Sequence, residues 1–220
     1  MKLQSTVLAL LLLMLCTLQA RSAQAPTAAS VIQRGEERFR ALRDYECMVD
    51  MESRLGKRVQ TGTCQFWFKQ PRMLRVKILR GDRKGSQVAV DGDGQIRGSK
   101  GGILGLIVRR MKTTDSRLLT IRGTSMMTLD SGSFFLKYHA AALRPDARVA
   151  LAPHPDPNAP FQVVLTYANL GKSVREVYSI DPHRWVIVEG EVFEDETRVE
   201  HVVFRDIKLD TGTADGWFHL

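Results

Sequence analysis

The spacing of apolar residues changes character several times along the chain. An unbroken apolar run fills Val7 to Cys16, and then Ala29, Ile32, Phe39 and Leu42 recur among charged residues at helical spacing, predicting an amphipathic helix over 28–43. From Tyr45 the period becomes two. Tyr45, Cys47, Val49 and Met51 alternate with Glu46, Met48, Asp50 and Glu52, as in a strand with one buried face. If Leu55-Gly56 form a two-residue hairpin loop, Tyr45 lies opposite Phe66 and Cys47 opposite Cys64, so apolar face meets apolar face. Pro71 ends the second strand; Leu74, Val76 and Ile78 mark a third, and Val88 with Val90 a fourth. Asp91-Gly92-Asp93-Gly94 then turns the chain into a short fifth from Gln95 to Arg97.

The middle of the chain loses this alternation. Ile103, Leu104, Leu106, Ile107 and Met111 suit a short helix, and Met126 to Tyr138 suit another. The proline-rich stretch from Arg144 to Pro160 reads as an irregular loop. Alternation returns in Val163, Leu165 and Tyr167, in Val174 to Ile180, in Trp185 to Phe193 and in Arg198 to Leu209, with turns at Asn169–Lys172 and Asp181–Arg184. The predicted class is α+β, one twisted antiparallel sheet with helices gathered on one face.

Charge and composition refine this picture. Lys2, the apolar run and the small residues Ala20 to Ala25 form the pattern of a secretory signal over residues 1–25, with cleavage after Ala25 or after Ala20. The run is ten residues, half of the roughly 20 needed to cross a bilayer. Residues 26–220 are then expected to be a single domain in the periplasm or outside the cell. The formal charge of +8 falls to +6 without Lys2 and Arg21, which suits an anionic membrane surface. Nucleic acid is not expected as a partner, because the cations are spread over many strands without a basic run or an aromatic motif. Cys47 and Cys64 are an even pair, and the hairpin register allows a cross-strand disulfide. Two buried thiols, or a turn that offsets them by two residues, are the alternatives.

Chemistry-bearing patterns are sparse. The five histidines are scattered, with no zinc spacing, and Asp91-Gly92-Asp93-Gly94 lacks the later acid of a calcium loop. Gly98-Ser99-Lys100-Gly101-Gly102 lacks the order of a phosphate loop, and Ser131-Gly132-Ser133 reads as a helix start rather than a nucleophile elbow. Glu194, Asp195 and Glu196 read as a solvated turn. No catalytic residue, cofactor or metal is expected.

The stretch Gly62-Thr63-Cys64-Gln65-Phe66-Trp67-Phe68-Lys69-Gln70-Pro71-Arg72-Met73-Leu74-Arg75-Val76 resembles the LolA family of periplasmic lipoprotein carriers, as does the Val90-Asp91-Gly92 turn. The closing stretch Val203 to Leu209, with Trp217-Phe218 after it, looks like the last strand and tail of related LolA-like domains. The resemblance implies a half-open β-barrel whose concave apolar face, covered by helices, holds a lipid or lipoprotein acyl chain on its way to the outer membrane. It places Phe66, Phe68, Leu74, Arg75, Val76 and Ile78 in the lining, with Ile107 and Met111 above them. An RseB-like regulatory module that binds an envelope protein, without transport, is the alternative the same resemblance allows.

Overall fold

The computed structural model describes residues 25–100 and 107–220, so the expected leader lies, apart from its last residue, outside the described residues. Helix α1 (Ala28–Ala41) starts where Thr27 and Ser30 exchange backbone-to-side-chain hydrogen bonds in a capping box. It buries Val31, Ile32 and Gly35 and exposes Arg34, Glu37 and Arg40, while Glu36 and Arg38 are partly covered. Helix α2 (Ser131–Ala142) starts at Asp130, whose carboxylate accepts from the backbone N–H and hydroxyl of Ser133, so the serines there do open a helix. The helices cross closely because Gly35 lies under the Phe135 ring and Gly132 under the Phe39 ring; a Cβ on either glycine would come within 2.8 Å of ring carbon.

Eleven strands follow among the described residues: β1 (Asp44–Leu55), β2 (Arg58–Lys69), β3 (Met73–Gly81), β4 (Gln87–Val90), β5 (Ile96–Ser99), β6 (Val108–Met111), β7 (Arg148–Leu151), β8 (Phe161–Asn169), β9 (Lys172–Ile180), β10 (Ile187–Glu194) and β11 (Thr197–Leu209). They form one antiparallel sheet in the order β6-β5-β4-β3-β2-β1-β11-β10-β9-β8-β7, open between β6 and β7. The α+β half-open barrel with helices is therefore observed. The turns at Asp91–Gly94, Asn169–Lys172 and Asp181–Arg184 lie where the sequence puts them. The Asp91 carboxylate accepts from the N–H groups of Asp93 and Gln95, and that of Asp181 from those of His183 and Arg184.

Three expectations are corrected. Cys47 pairs with Phe66 and Val49 with Cys64, because the hairpin loop is Gly56-Lys57; glycine supplies the positive φ of 58° that its first position takes. The two-residue offset puts the cysteines on a diagonal, and both are free, buried thiols rather than a disulfide. Burial pushes both thiols up, Cys64 to about 12. The described part of the expected Ile103–Met111 helix is the edge strand β6; residues 103–106 lie outside the described residues. The stretch read as an irregular loop contains β7, paired with β8 from Arg148 to Leu151.

The inner face of the sheet carries two connected cores. One spans β1 to β5 and includes Tyr45, Cys47, Val49, Cys64, Phe66, Phe68, Leu74, Val76, Val88, Val90 and Ile96. Leu118, Met127 and Leu129, from the segment between β6 and α2, cover it. The other joins Val31, Ile32, Phe134 and Phe135 of the helices to Phe161, Val163, Ile180 and Ile187. Phe39 belongs to both margins, its ring 5.3 Å from Phe68 and 6.4 Å from Phe135.

Candidate functional site

Alternation along β3 sorts the expected lining into two faces. Leu74 and Val76 point inward and are 1% exposed, packed with Phe66 and Phe68, which are equally inaccessible. These four fill the core with their own side chains. Arg75, between them, points to the outer face, where its guanidinium lies 4.4 Å from the Trp217 ring and donates to the Trp217 carbonyl and the Gln87 amide. Arg75 is therefore not in the concavity. Trp217 belongs to a C-terminal turn (Asp215–Phe218) that buries Phe218 against Trp67 and Met73 on that outer face.

The other three expected residues, Ile78, Ile107 and Met111, do come together, around a groove of about 340 Å³ at the β3–β6 end of the sheet. Ile107 and Met111 do not form a lid, since Met111 lies in β6 and Ile107 just before it. The register explains the space. Val76, Val88, Gly98 and Arg109 stand in one row across β3 to β6, and Leu74, Val90, Ile96 and Met111 in the next. With no side chain on Gly98, the Met111 thioether crosses the row between Val88 and Arg109, takes the place a side chain would fill and forms that part of the groove wall; a Cβ at Gly98 would fall 2.2 Å from its sulfur. Met126 closes the groove from above. Ile78, Asp82, Arg83 and Met126 also border a narrower pocket of about 70 Å³ that runs on to Met51, Leu119, Leu129 and Val202. Two methionines in the walls give the lining unbranched, polarizable side chains that adapt to an occupant.

The rim is cationic. Arg83, Lys84, Lys100, Arg109 and Arg117 border the groove, with Asp82 its one carboxylate. Arg83 holds the cover in place by donating to the carbonyls of Ser116, Arg117 and Leu119, and Arg117 is paired with Asp115 at 2.5 Å. Lys84, Lys100 and Arg109 make no ion pair among the described residues. The signal for this was a charge count by segment: residues 72–112 hold eleven Lys and Arg against three Asp, a net +8 that equals the formal charge of the chain. Of those eleven, only Arg97 pairs with an acid, Asp91, among the described residues.

A further concavity and a polar cluster are built differently. Between α1, α2 and the β2–β3 turn lies a space of about 340 Å³ bordered by Phe39, Phe68, Phe135 and Leu136, with Glu36, Arg40 and His139 at its edge. Glu36 is held there by both His139 and Arg40. On the outer face, Glu189, Glu191 and His201 bring ligand-type atoms within 4.8 Å of one another, but His201 is bonded to Glu189 at 2.8 Å and Arg198 pairs with Glu191 at 3.0 Å. The group is a hydrogen-bonded network across β10 and β11.

No family model matches the chain, and no curated protein does. Solved structures similar to it include a DUF1329 family protein from Desulfovibrio piger, at 10% identity and a TM-score of 0.45, covering 87% of this chain and 97% of that one. LolA superfamily protein NE2245 from Nitrosomonas europaea is another, at 12% identity and a TM-score of 0.46, with coverage of 89% and 99%. The MucA/MucB complex of Pseudomonas aeruginosa also matches at 12% identity and a TM-score of 0.44, covering 88% of this chain and 60% of that one.

Proposed function

We propose that this is an exported binding protein that shelters one acyl chain of an envelope lipid in the groove between β3–β6 and Met126, acting as a carrier or chaperone. The observation that carries the reading is the groove itself: an apolar floor of Ile78, Val88, Gly98 and Met111 with a row of cations at its rim, beside a core in which Phe66, Phe68, Leu74 and Val76 are packed by their own side chains. Its volume of about 340 Å³ stands at the lower end of the roughly 300–1,000 Å³ of small-molecule sites, which suits one chain better than a multiply acylated lipoprotein anchor. Each methylene withdrawn from water contributes about 0.8 kcal/mol, so a modest chain length gives useful affinity that a change in the cover can reverse. The expected secretory signal and the excess of cations support an extracytoplasmic place beside an anionic membrane.

The test is mass spectrometry of organic extracts of the protein purified from an extracytoplasmic fraction. Amphiphiles approaching one per protein are expected, and fewer from Gly98→Leu, whose side chain displaces the Met111 thioether so that both crowd the groove. Extracts without any amphiphile, together with no uptake of added acyl chains, would contradict the proposal.

A further inference from the structure

Sheet register does more at this groove than open a space. Paired residues of an antiparallel sheet point to the same side, so the row Val76, Val88, Gly98, Arg109 carries an apolar inner surface outward to the edge strand and ends it with a cation on that same inner face. Lys100, two residues beyond Gly98, borders the groove from the end of β5, and Lys84 does so from the β3–β4 turn. On β1, β9 and β11 every Lys and Arg meets a carboxylate, whereas Arg75, Lys77, Arg80 and Arg110 of β3 and β6 meet none among the described residues. Lys172 meets Glu194, Arg184 meets Asp181, Arg205 meets Asp50 and Lys208 meets Glu46. At the groove mouth three cations face one carboxylate, Asp82, beside a wall of low polarity that weakens screening.

We infer that the groove selects an amphiphile with an anionic head, a phosphate or a carboxylate, seated between Arg109 and Lys100 with Lys84 at the mouth. This rests on the acyl-chain reading, which it extends from the tail of the ligand to its head. Arg109 offers a planar fork of donors that fits two oxygens of such a head, while the two lysines act as point charges on flexible stems. The tail then follows the row inward past Gly98 and Val88 to Ile78, and the head stays at the sheet edge, where it can be delivered or withdrawn without entering the core.

The experiment is calorimetric titration of residues 26–220 with lauroyl lysophosphatidylglycerol and lauroyl lysophosphatidylcholine, both below their micelle thresholds, with inorganic phosphate as a third probe. The two lipids share a chain and differ in net head charge. The anionic lipid is expected to bind about tenfold more tightly, a preference that shrinks as salt is raised and disappears in Lys100→Gln/Arg109→Gln, while the zwitterionic lipid is held equally by both proteins. Both positions are at the surface, so an unchanged melting curve shows that the variant is folded. Equal affinity for the two lipids would overturn the head-group inference and leave the acyl-chain reading standing. Binding of neither lipid would overturn both, and phosphate bound as tightly as the anionic lipid would show that the chain contributes nothing.

Discussion

The two ends of the sheet are covered in different ways. At the β7–β10 end, α1 and α2 lie on the strands, the Phe134 ring meets that of Tyr178 at a tilt of 41° with centroids 4.0 Å apart, and Phe135 fits against Gly35 of the neighbouring helix. A buried carboxylate is tied down there as well: Glu176 accepts from the hydroxyl of Tyr167 at 2.5 Å and that of Tyr178 at 2.6 Å, and pairs with Lys137 of α2 at 2.8 Å. At the β3–β6 end the cover is a segment with two short helical turns, Ser116–Leu118 and Met126–Thr128, and beside it the groove stays open. Long helices with satisfied polar groups fix one arrangement. A short cover held by Arg83 to backbone carbonyls leaves a space whose walls can shift.

Truncations at the two ends therefore differ most in cost. Phe135→Ala removes a ring from the junction of both helices and should destabilise by about 3–5 kcal/mol, whereas Met111→Ala, beside space that is already open, should cost about 1 kcal/mol. Urea unfolding measures both, and equal losses would mean that the groove end is packed as firmly as the helical end. Charge removal gives a smaller effect in the same direction. Lys137→Met leaves the buried Glu176 carboxylate without its cation and should cost about 1–3 kcal/mol, whereas Lys100→Gln should stay within about 0.5 kcal/mol of the parent. A large loss from Lys100→Gln would give that lysine a structural role and remove it from the head-group argument.

The same contrast marks what the sequence made legible. Long alternating runs such as Tyr45–Met51 and Arg198–Leu209 announced the central strands, because a buried face forces period two. Edge strands β6 and β7 have four residues each, too few to show a period, and the run from Ile103 to Met111 suits a helix by sequence because a short apolar run fits either element. The hairpin register was missed by one turn position: Leu55-Gly56 and Gly56-Lys57 both contain the glycine, and only the backbone distinguishes them. The placement of Arg75 on the outer face, by contrast, was available in its position between Leu74 and Val76. The groove rested on two things a residue-by-residue reading passed over, the missing side chain of Gly98 within an apolar row and the concentration of charge in residues 72–112.

Photo-cross-linking locates the chain most directly. A fatty acid with a diazirine near its methyl end, irradiated with the protein and followed by peptide mapping, is expected to label peptides containing Ile78, Met111 and Met126. Labelling confined to the cleft of Phe39, Phe135 and Leu136, or no labelling above that of the unfolded chain, would contradict the account.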